Sequence, residues 1–222
     1  MTVTVVKVGG SLSQSPEKLR ALCQKLSQLA EKHQLAVVPG GGMFADCVRE
    51  ADKRFSLSAT AAHRMAILGM DQYGLLLADL IPNCQVVNSL EETKKTETGR
   101  LTVFLPSQFM FSDDGLPNSW TVTSDSIAAY ISGKLEADKL VLVKDIDGIF
   151  SDDPKKNPHA KLLEHLTVKE FLEFNVKTCV DAYLPKLLEN LKLECYIVNG
   201  LYPERVESVL IGQITVGTVI SP

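Results

Sequence analysis

The run Val3-Thr4-Val5-Val6-Lys7-Val8 is rich in β-branched residues and leads directly into Gly9-Gly10-Ser11. A strand without polar and apolar alternation is buried on both faces, which is the condition of strands in parallel sheets. An ammonium in the middle of such a strand would carry a large desolvation cost. Near the C-terminal end, the Lys7 side chain can instead reach past the sheet. In open α/β sheets that edge is where ligands bind. The glycines let backbone N–H groups approach a ligand with no Cβ in the way, so a lysine beside them points to an anion, phosphate first.

The rest of the chain repeats this pattern. Leu35-Ala36-Val37-Val38 is a second buried strand ending in Pro39-Gly40-Gly41-Gly42, and Lys139-Leu140-Val141-Leu142-Val143 is a third, running into Lys144-Asp145-Ile146-Asp147-Gly148. Gln85 to Val87, Leu101 to Phe104, Cys195 to Val198 and Thr215 to Ile220 read as further strands. Between them lie helical patterns: Pro16 onward with Ser15 as N-cap, Phe44 to Val48, Ser58 to Leu80, Ser124 to Leu135 and Asp181 to Leu193. Thr167-Val168-Lys169-Glu170 has capping-box spacing. Alternating strands and helices predict an α/β fold with a mostly parallel sheet covered on both faces.

With 222 residues the chain is long enough for a substantial core, and its net charge of -4 with scattered basic residues argues against a nucleic-acid partner. No apolar run is long enough to span a membrane, and the N-terminus lacks a signal-peptide pattern. Five dispersed cysteines without a Cys-x-x-Cys pair are expected to be reduced thiols in a cytoplasmic protein.

The chemistry is expected where three strand ends meet: Lys7 with Gly9, Gly10 and Ser11; Gly40, Gly41 and Gly42; and Asp145 with Asp147. If the strands are parallel, all three lie on one edge. Two glycine loops, each with a helix behind it, can bind two anionic groups. A lysine and carboxylates nearby suit phosphoryl transfer, in which the protein aligns donor and acceptor and neutralises charge. Neither Gly-x-x-x-x-Gly-Lys-Ser/Thr nor Gly-x-Gly-x-x-Gly after the first strand is present, so an ordinary P-loop or dinucleotide fold is not indicated. The histidines at 33, 63, 159 and 165 are dispersed and carry no expected role.

Val6-Lys7-Val8-Gly9-Gly10-Ser11, Pro39-Gly40-Gly41-Gly42 and Lys144-Asp145-Ile146-Asp147-Gly148-Ile149-Phe150, followed by Ser151-Asp152-Asp153-Pro154-Lys155 and Gly217-Thr218-Val219-Ile220, resemble the amino acid kinase family in order along nearly the whole chain. The resemblance implies a three-layer αβα sandwich, one domain with an acceptor lobe at about 1-137 and a nucleotide lobe at about 138-222. It implies ATP with Mg2+ as donor and a small-molecule phosphate acceptor. Lys7 and Lys186 would bind the phosphoryl group in flight, with Asp145 holding them. Gly9, Gly10, Ser11, Asp147, Phe150 and Asp153 would contact the nucleotide, and Gly40, Gly41 and Gly42 the acceptor. A homodimer or higher homo-oligomer through the long Ser58–Leu80 helix is expected, because relatives commonly pair there and its Ala, Met and Leu content exceeds one buried stripe. Ala62-His63-Arg64-Met65-Ala66-Ile67, Met70-Asp71-Gln72-Tyr73-Gly74 and Cys179 to Lys186 resemble an archaeal-type branch of methanofuran biosynthesis. The acceptor in that branch is a monophosphate with an amine at its other end. Asp46, Asp71 and Asp181 are the candidate carboxylates for that amine; Asp181 leads, and its alternative role is to cap the helix that carries Lys186. Thr123 and Asp46 depart from residues typical of acetylglutamate and bacterial uridylate kinases. Isopentenyl phosphate kinase activity, or a non-catalytic nucleotide-binding sensor, are the competing readings.

Overall fold

The computed structural model describes residues 2–174 and 178–222. Its strands are β1 (Thr4–Val8), β2 (Leu35–Pro39), β3 (Cys84–Val87), β4 (Leu101–Phe104), β5 (Lys139–Lys144), β6 (His165–Thr167), β7 (Glu194–Asn199) and β8 (Gly217–Ser221). The helices are α1 (Pro16–Ala30), α2 (Gly42–Phe55), α3 (Ala59–Leu80), α4 (Leu90–Lys95), α5 (Ser107–Ser112), α6 (Ser124–Leu135), α7 (Val168–Glu173), α8 (Leu184–Leu191) and α9 (Pro203–Leu210). The strands form one sheet in the order β3-β4-β2-β1-β5-β7-β8-β6. The six strands from β3 to β7 in that order run parallel; β8 is antiparallel to β7 and carries β6 parallel to itself. The mostly parallel αβα sandwich expected from the alternating pattern is the observed fold.

β1 lies between β2 and β5, with Lys7 beside Val38 on one side and Leu142 on the other. The chain leaves β1 for β2 on one side and returns later to β5 on the other. The crevice at the carboxyl ends of β1 and β5 is therefore a topological switch point, where open sheets of this kind bind ligands.

Strand parity decides what faces that crevice. Val5, Leu140 and Leu142 pack in the core that holds Ile127, Ile131, Leu184 and Leu188 of α6 and α8. Val6, Val8, Val141 and Val143 pack in the other core, with Leu22 and Leu26 of α1 and Val206 of α9. Alternate residues of a strand share a face, so Lys7 follows Val5, and Lys144 follows Leu142, to the α6 side. Both lysines thus point beneath the start of α6 from neighbouring strands.

The local signals mostly hold. Ser58 caps α3 by accepting the Ala61 N–H, and Thr167 and Glu170 form the reciprocal capping box of α7. Ser15 precedes α1, but its side chain makes no capping bond; its N–H instead closes the preceding turn on the Leu12 carbonyl at 3.1 Å. α8 begins at Leu184, three residues after Asp181, because Asp181 itself is used as an acceptor for the helix start. β6 was not expected: it is three residues long and mostly exposed, and so shows no periodicity. All five cysteines are free, and no described helix is long and apolar enough to cross a membrane.

Candidate active site

The loops after β1 and β2 touch backbone to backbone. A Cβ on Gly10 would lie 2.1 Å from the Gly42 nitrogen, and Gly42, which opens the 14-residue α2, has φ +52. The contact leaves no room for a side chain on Gly10, and φ in this range favours glycine at Gly42. The glycines therefore dock two loops against each other, besides keeping their N–H groups accessible. Tyr73 of α3 pins the pair from below by donating its hydroxyl to the Gly9 carbonyl at 3.3 Å.

Above these loops opens a cavity of about 540 Å³. Its floor holds Lys7, Asp125 and Lys144. Lys7 Nζ donates to Asp125 Oδ1 and Lys144 Nζ to Asp125 Oδ2, each at 2.7 Å, and Lys144 donates also to the Cys179 carbonyl at 2.6 Å. All three residues are buried, Asp125 at 3 % exposure in the first turn of α6. Burial alone would raise the Asp125 carboxyl, but the Lys144 and Lys7 ammonium groups outweigh it and hold the carboxyl well below the usual carboxylate range. Burial pulls Lys7 below its usual value by more than Asp125 restores, whereas Lys144 is kept above its usual value by Asp125 despite burial. Two buried lysines share one carboxylate in direct contact, and the Asp181 carboxylate in the same cavity wall adds a further favourable field at both.

Asp145, expected to hold the lysines, is not in contact with Lys7 or Lys144 in this arrangement. The carboxylate against the lysines is Asp125; Asp145, beyond the end of β5, accepts instead from the Ser11 hydroxyl at 2.7 Å and ties the first glycine loop to the third strand end. Lys186 is also not on the cavity floor. It is exposed at the start of α8, with Nζ 5.7 Å from the Tyr183 ring. The two lysines brought together are Lys7 and Lys144.

Asp181 lines the cavity, yet its oxygens are already occupied. Oδ2 accepts the Thr123 N–H, the Thr123 hydroxyl and the Ser126 N–H at 2.9 Å each; Oδ1 accepts the Ser126 hydroxyl and the N–H groups of Tyr183 and Leu184. One side chain thus caps the starts of both α6 and α8. That is the capping alternative for Asp181, extended to a second helix, and it leaves the carboxylate no site for an amine.

Of the residues expected at the nucleotide, Gly10 and Ser11 line the cavity, whereas Asp147, Phe150 and Asp153 do not. Asp147 accepts from Asn199 Nδ2 at 2.8 Å and from Arg205; burial opposes its charge, but these two partners prevail and hold its carboxyl below the ordinary value. Phe150 pairs with Leu162 in an isolated bridge, and Asp153 caps its own turn by accepting the Lys155 N–H at 3.0 Å. Among the described residues no three His, Cys, Asp or Glu side chains are grouped to hold a metal ion. A Mg2+ ion here would be held mainly by nucleotide phosphates and water, with one or two carboxylates at most.

Residues 2–199 match the amino acid kinase family. The chain belongs to that family. The [5-(aminomethyl)furan-3-yl]methyl phosphate kinase of Methanocaldococcus jannaschii is 33% identical over 217 residues, covering 97% of this chain and 96% of that protein. Uridylate kinase of Thermococcus kodakarensis is 28% identical over 230 residues, with 98% and 99% covered. The crystal structure of uridylate kinase from Archaeoglobus fulgidus has the same fold, with a TM-score of 0.78, 24% identity and full coverage of both chains. As an amino acid kinase family member, this protein is a phosphotransferase.

Proposed function

We propose that this amino acid kinase transfers the γ-phosphoryl group of Mg-ATP to [5-(aminomethyl)furan-3-yl]methyl phosphate, giving its diphosphate, a step of methanofuran biosynthesis. The observation that carries the phosphate-acceptor part is the pair of lysines, Lys7 and Lys144, held by Asp125 on the cavity floor beside the interlocked glycine loops. An anion is what completes such a site. The likeness to the M. jannaschii enzyme supports the furan acceptor. Residues 1–137 then form the acceptor lobe and 138–222 the nucleotide lobe.

An oxygen of the acceptor phosphate attacks the γ-phosphorus, the bond from that phosphorus to the β,γ-bridging oxygen breaks, and ADP leaves. Lys7 and Lys144 neutralise charge on the moving phosphoryl group, and Asp125 holds them in place. The N–H groups at Gly10 and at the start of α2 receive the acceptor phosphate. Gly9, Ser11, Asp147, Phe150 and Asp153 border the nucleotide. For Lys186 to join, its side chain must leave Tyr183.

The test is turnover of purified protein with Mg-ATP against the furan phosphate, UMP and isopentenyl phosphate, followed by phosphorus NMR of the product. A diphosphate formed from the furan phosphate at the highest kcat/KM is the expected result. Preference for UMP or isopentenyl phosphate would overturn the furan assignment, and turnover on none of them would favour a sensor.

We also propose a homodimer through α3. Met65, Leu68 and Leu75 leave 39%, 46% and 55% of their surface exposed along the helix at positions that share one side. Light scattering at micromolar concentration should give twice the chain mass, and Leu68→Glu with Leu75→Glu should halve it. A monomeric wild-type protein would refute the pairing.

A further inference from the structure

Each carboxylate of the cavity wall already has a protein partner. Asp125 is committed to two lysines and Asp181 to six protein donors. Asp46 pairs with Arg49 at 2.8 Å, and Arg49 stacks 5.1 Å from the centre of the Trp120 ring, so this pair adds no net charge. Asp71, elsewhere on α3, is taken by Ser107.

α3 contributes a stripe to the cavity wall: His63, Ala66, Ile67 and Met70, spaced as one helix face. Its direction is known, because Tyr73 bonds the first glycine loop. At 1.5 Å per residue, His63 stands roughly 15 Å back along the helix from Tyr73, at the end remote from the phosphate-binding loops. Ile67 and Met70 between them make that wall apolar. His63 is 6 % exposed, the one imidazole among the residues that line this cavity.

Burial lowers the His63 pKa, opposed by a hydrogen bond to the Ser119 backbone, so the ring is neutral at physiological pH. A neutral imidazole that donates one N–H to a carbonyl presents its second nitrogen as an acceptor. The cavity mouth is wet, since the Arg49 and Asp46 side chains are 45% and 70% exposed. A cation bound there keeps part of its hydration and does not need a buried counter-charge.

We propose that His63 is the specificity-determining residue of the acceptor site, accepting a hydrogen bond from a primary ammonium at the end of the acceptor opposite its phosphate. This rests on the furan-phosphate reading and names the group that selects its amine. An acceptor lacking the amine leaves the His63 nitrogen unpaired, which is how a polar site rejects an analogue.

The experiment compares two acceptors, [5-(aminomethyl)furan-3-yl]methyl phosphate and the same compound with methyl in place of aminomethyl. Wild-type protein should show a KM for the amine-bearing acceptor lower by about tenfold or more, the scale of one hydrogen bond to a charged group. His63→Phe should bring the ratio of the two KM values close to one with the KM for ATP unmoved, and His63→Gln, whose amide oxygen can accept, should restore part of it. Equal KM values in the wild-type protein would overturn the proposal without any variant, as would a ratio unchanged in His63→Phe. Turnover on both furan phosphates with no discrimination defeats the His63 assignment alone. Absence of turnover on either, with turnover on UMP, defeats the functional reading and this inference with it.

Discussion

Asp125→Ala is expected to abolish measurable phosphoryl transfer and to destabilise the fold. The substitution removes the carboxylate with which both Lys7 and Lys144 form ion pairs beneath α6. Removing one member of a buried ion pair costs about 3–5 kcal/mol, much of it the penalty of the charge left behind. Urea unfolding should therefore show a lower midpoint, and turnover should fall with it. Asp125→Asn separates the two effects, because it keeps the shape and loses the charge. The pH dependence has a definite sign. The folded carboxyl lies below its unfolded value of about 3.9, so its contribution to stability is present above that pH and is lost as pH falls through the acid range. Asp125→Asn should flatten the acid limb of the stability profile. Near-normal turnover together with an unshifted midpoint in Asp125→Ala would remove Asp125 from the centre of the site.

Lys7→Ala and Lys144→Ala should each lower kcat by about 100-fold or more, the scale for removing one preorganised group from developing charge. The two should not be additive. Both ammonium groups lean on one carboxylate, and residues in one network show coupling in double-mutant cycles. Asp145→Ala provides the internal contrast. Asp145 bonds Ser11 and no lysine, so its loss should cost less than that of Asp125. If Asp145→Ala were the more damaging change, the assignment of the organising carboxylate would have to be reversed.

Much of this was legible in the chain itself. Buried β-branched runs, each ending in glycine or Asp-Gly, specify a parallel sheet with one functional edge, and Lys7 was identifiable as the polar intruder in such a run. Lys144 carried an equally clear signal that spacing motifs obscured. Counting alternate residues from Leu140 and Leu142 puts Lys144 on the face of Val5 and Lys7, while Asp145 falls beyond the strand. Asp125 was harder to see. An acidic residue in the first turn of a helix usually complements the helix dipole, and nothing local shows that two lysines from distant strands arrive beneath it. The cap that Asp181 places on α6 has the same character, since Thr123 and Ser126 lie 58 and 55 residues away, whereas its cap on α8 is local and was legible. His63 looked ordinary because a single histidine on an amphipathic helix shows nothing about the cavity wall it will join. What sequence could not supply, in each case, was a contact between elements.

The interlocked glycine loops divide the site into a part that can vary and a part that cannot. Where Gly10 meets Gly42 the wall is main chain on both sides, so no exchange of side chains can widen, narrow or recharge it without breaking the fold. Much of the remaining wall, from α2, α3 and the Trp120–Thr123 segment, is made of side chains. A lineage that needs a different acceptor can therefore keep the phosphate end as inherited hardware and rewrite only the opposite end. Engineering this protein toward a new monophosphate should follow the same division, with libraries at His63, Ala66, Ile67 and Trp120 and the glycines left untouched.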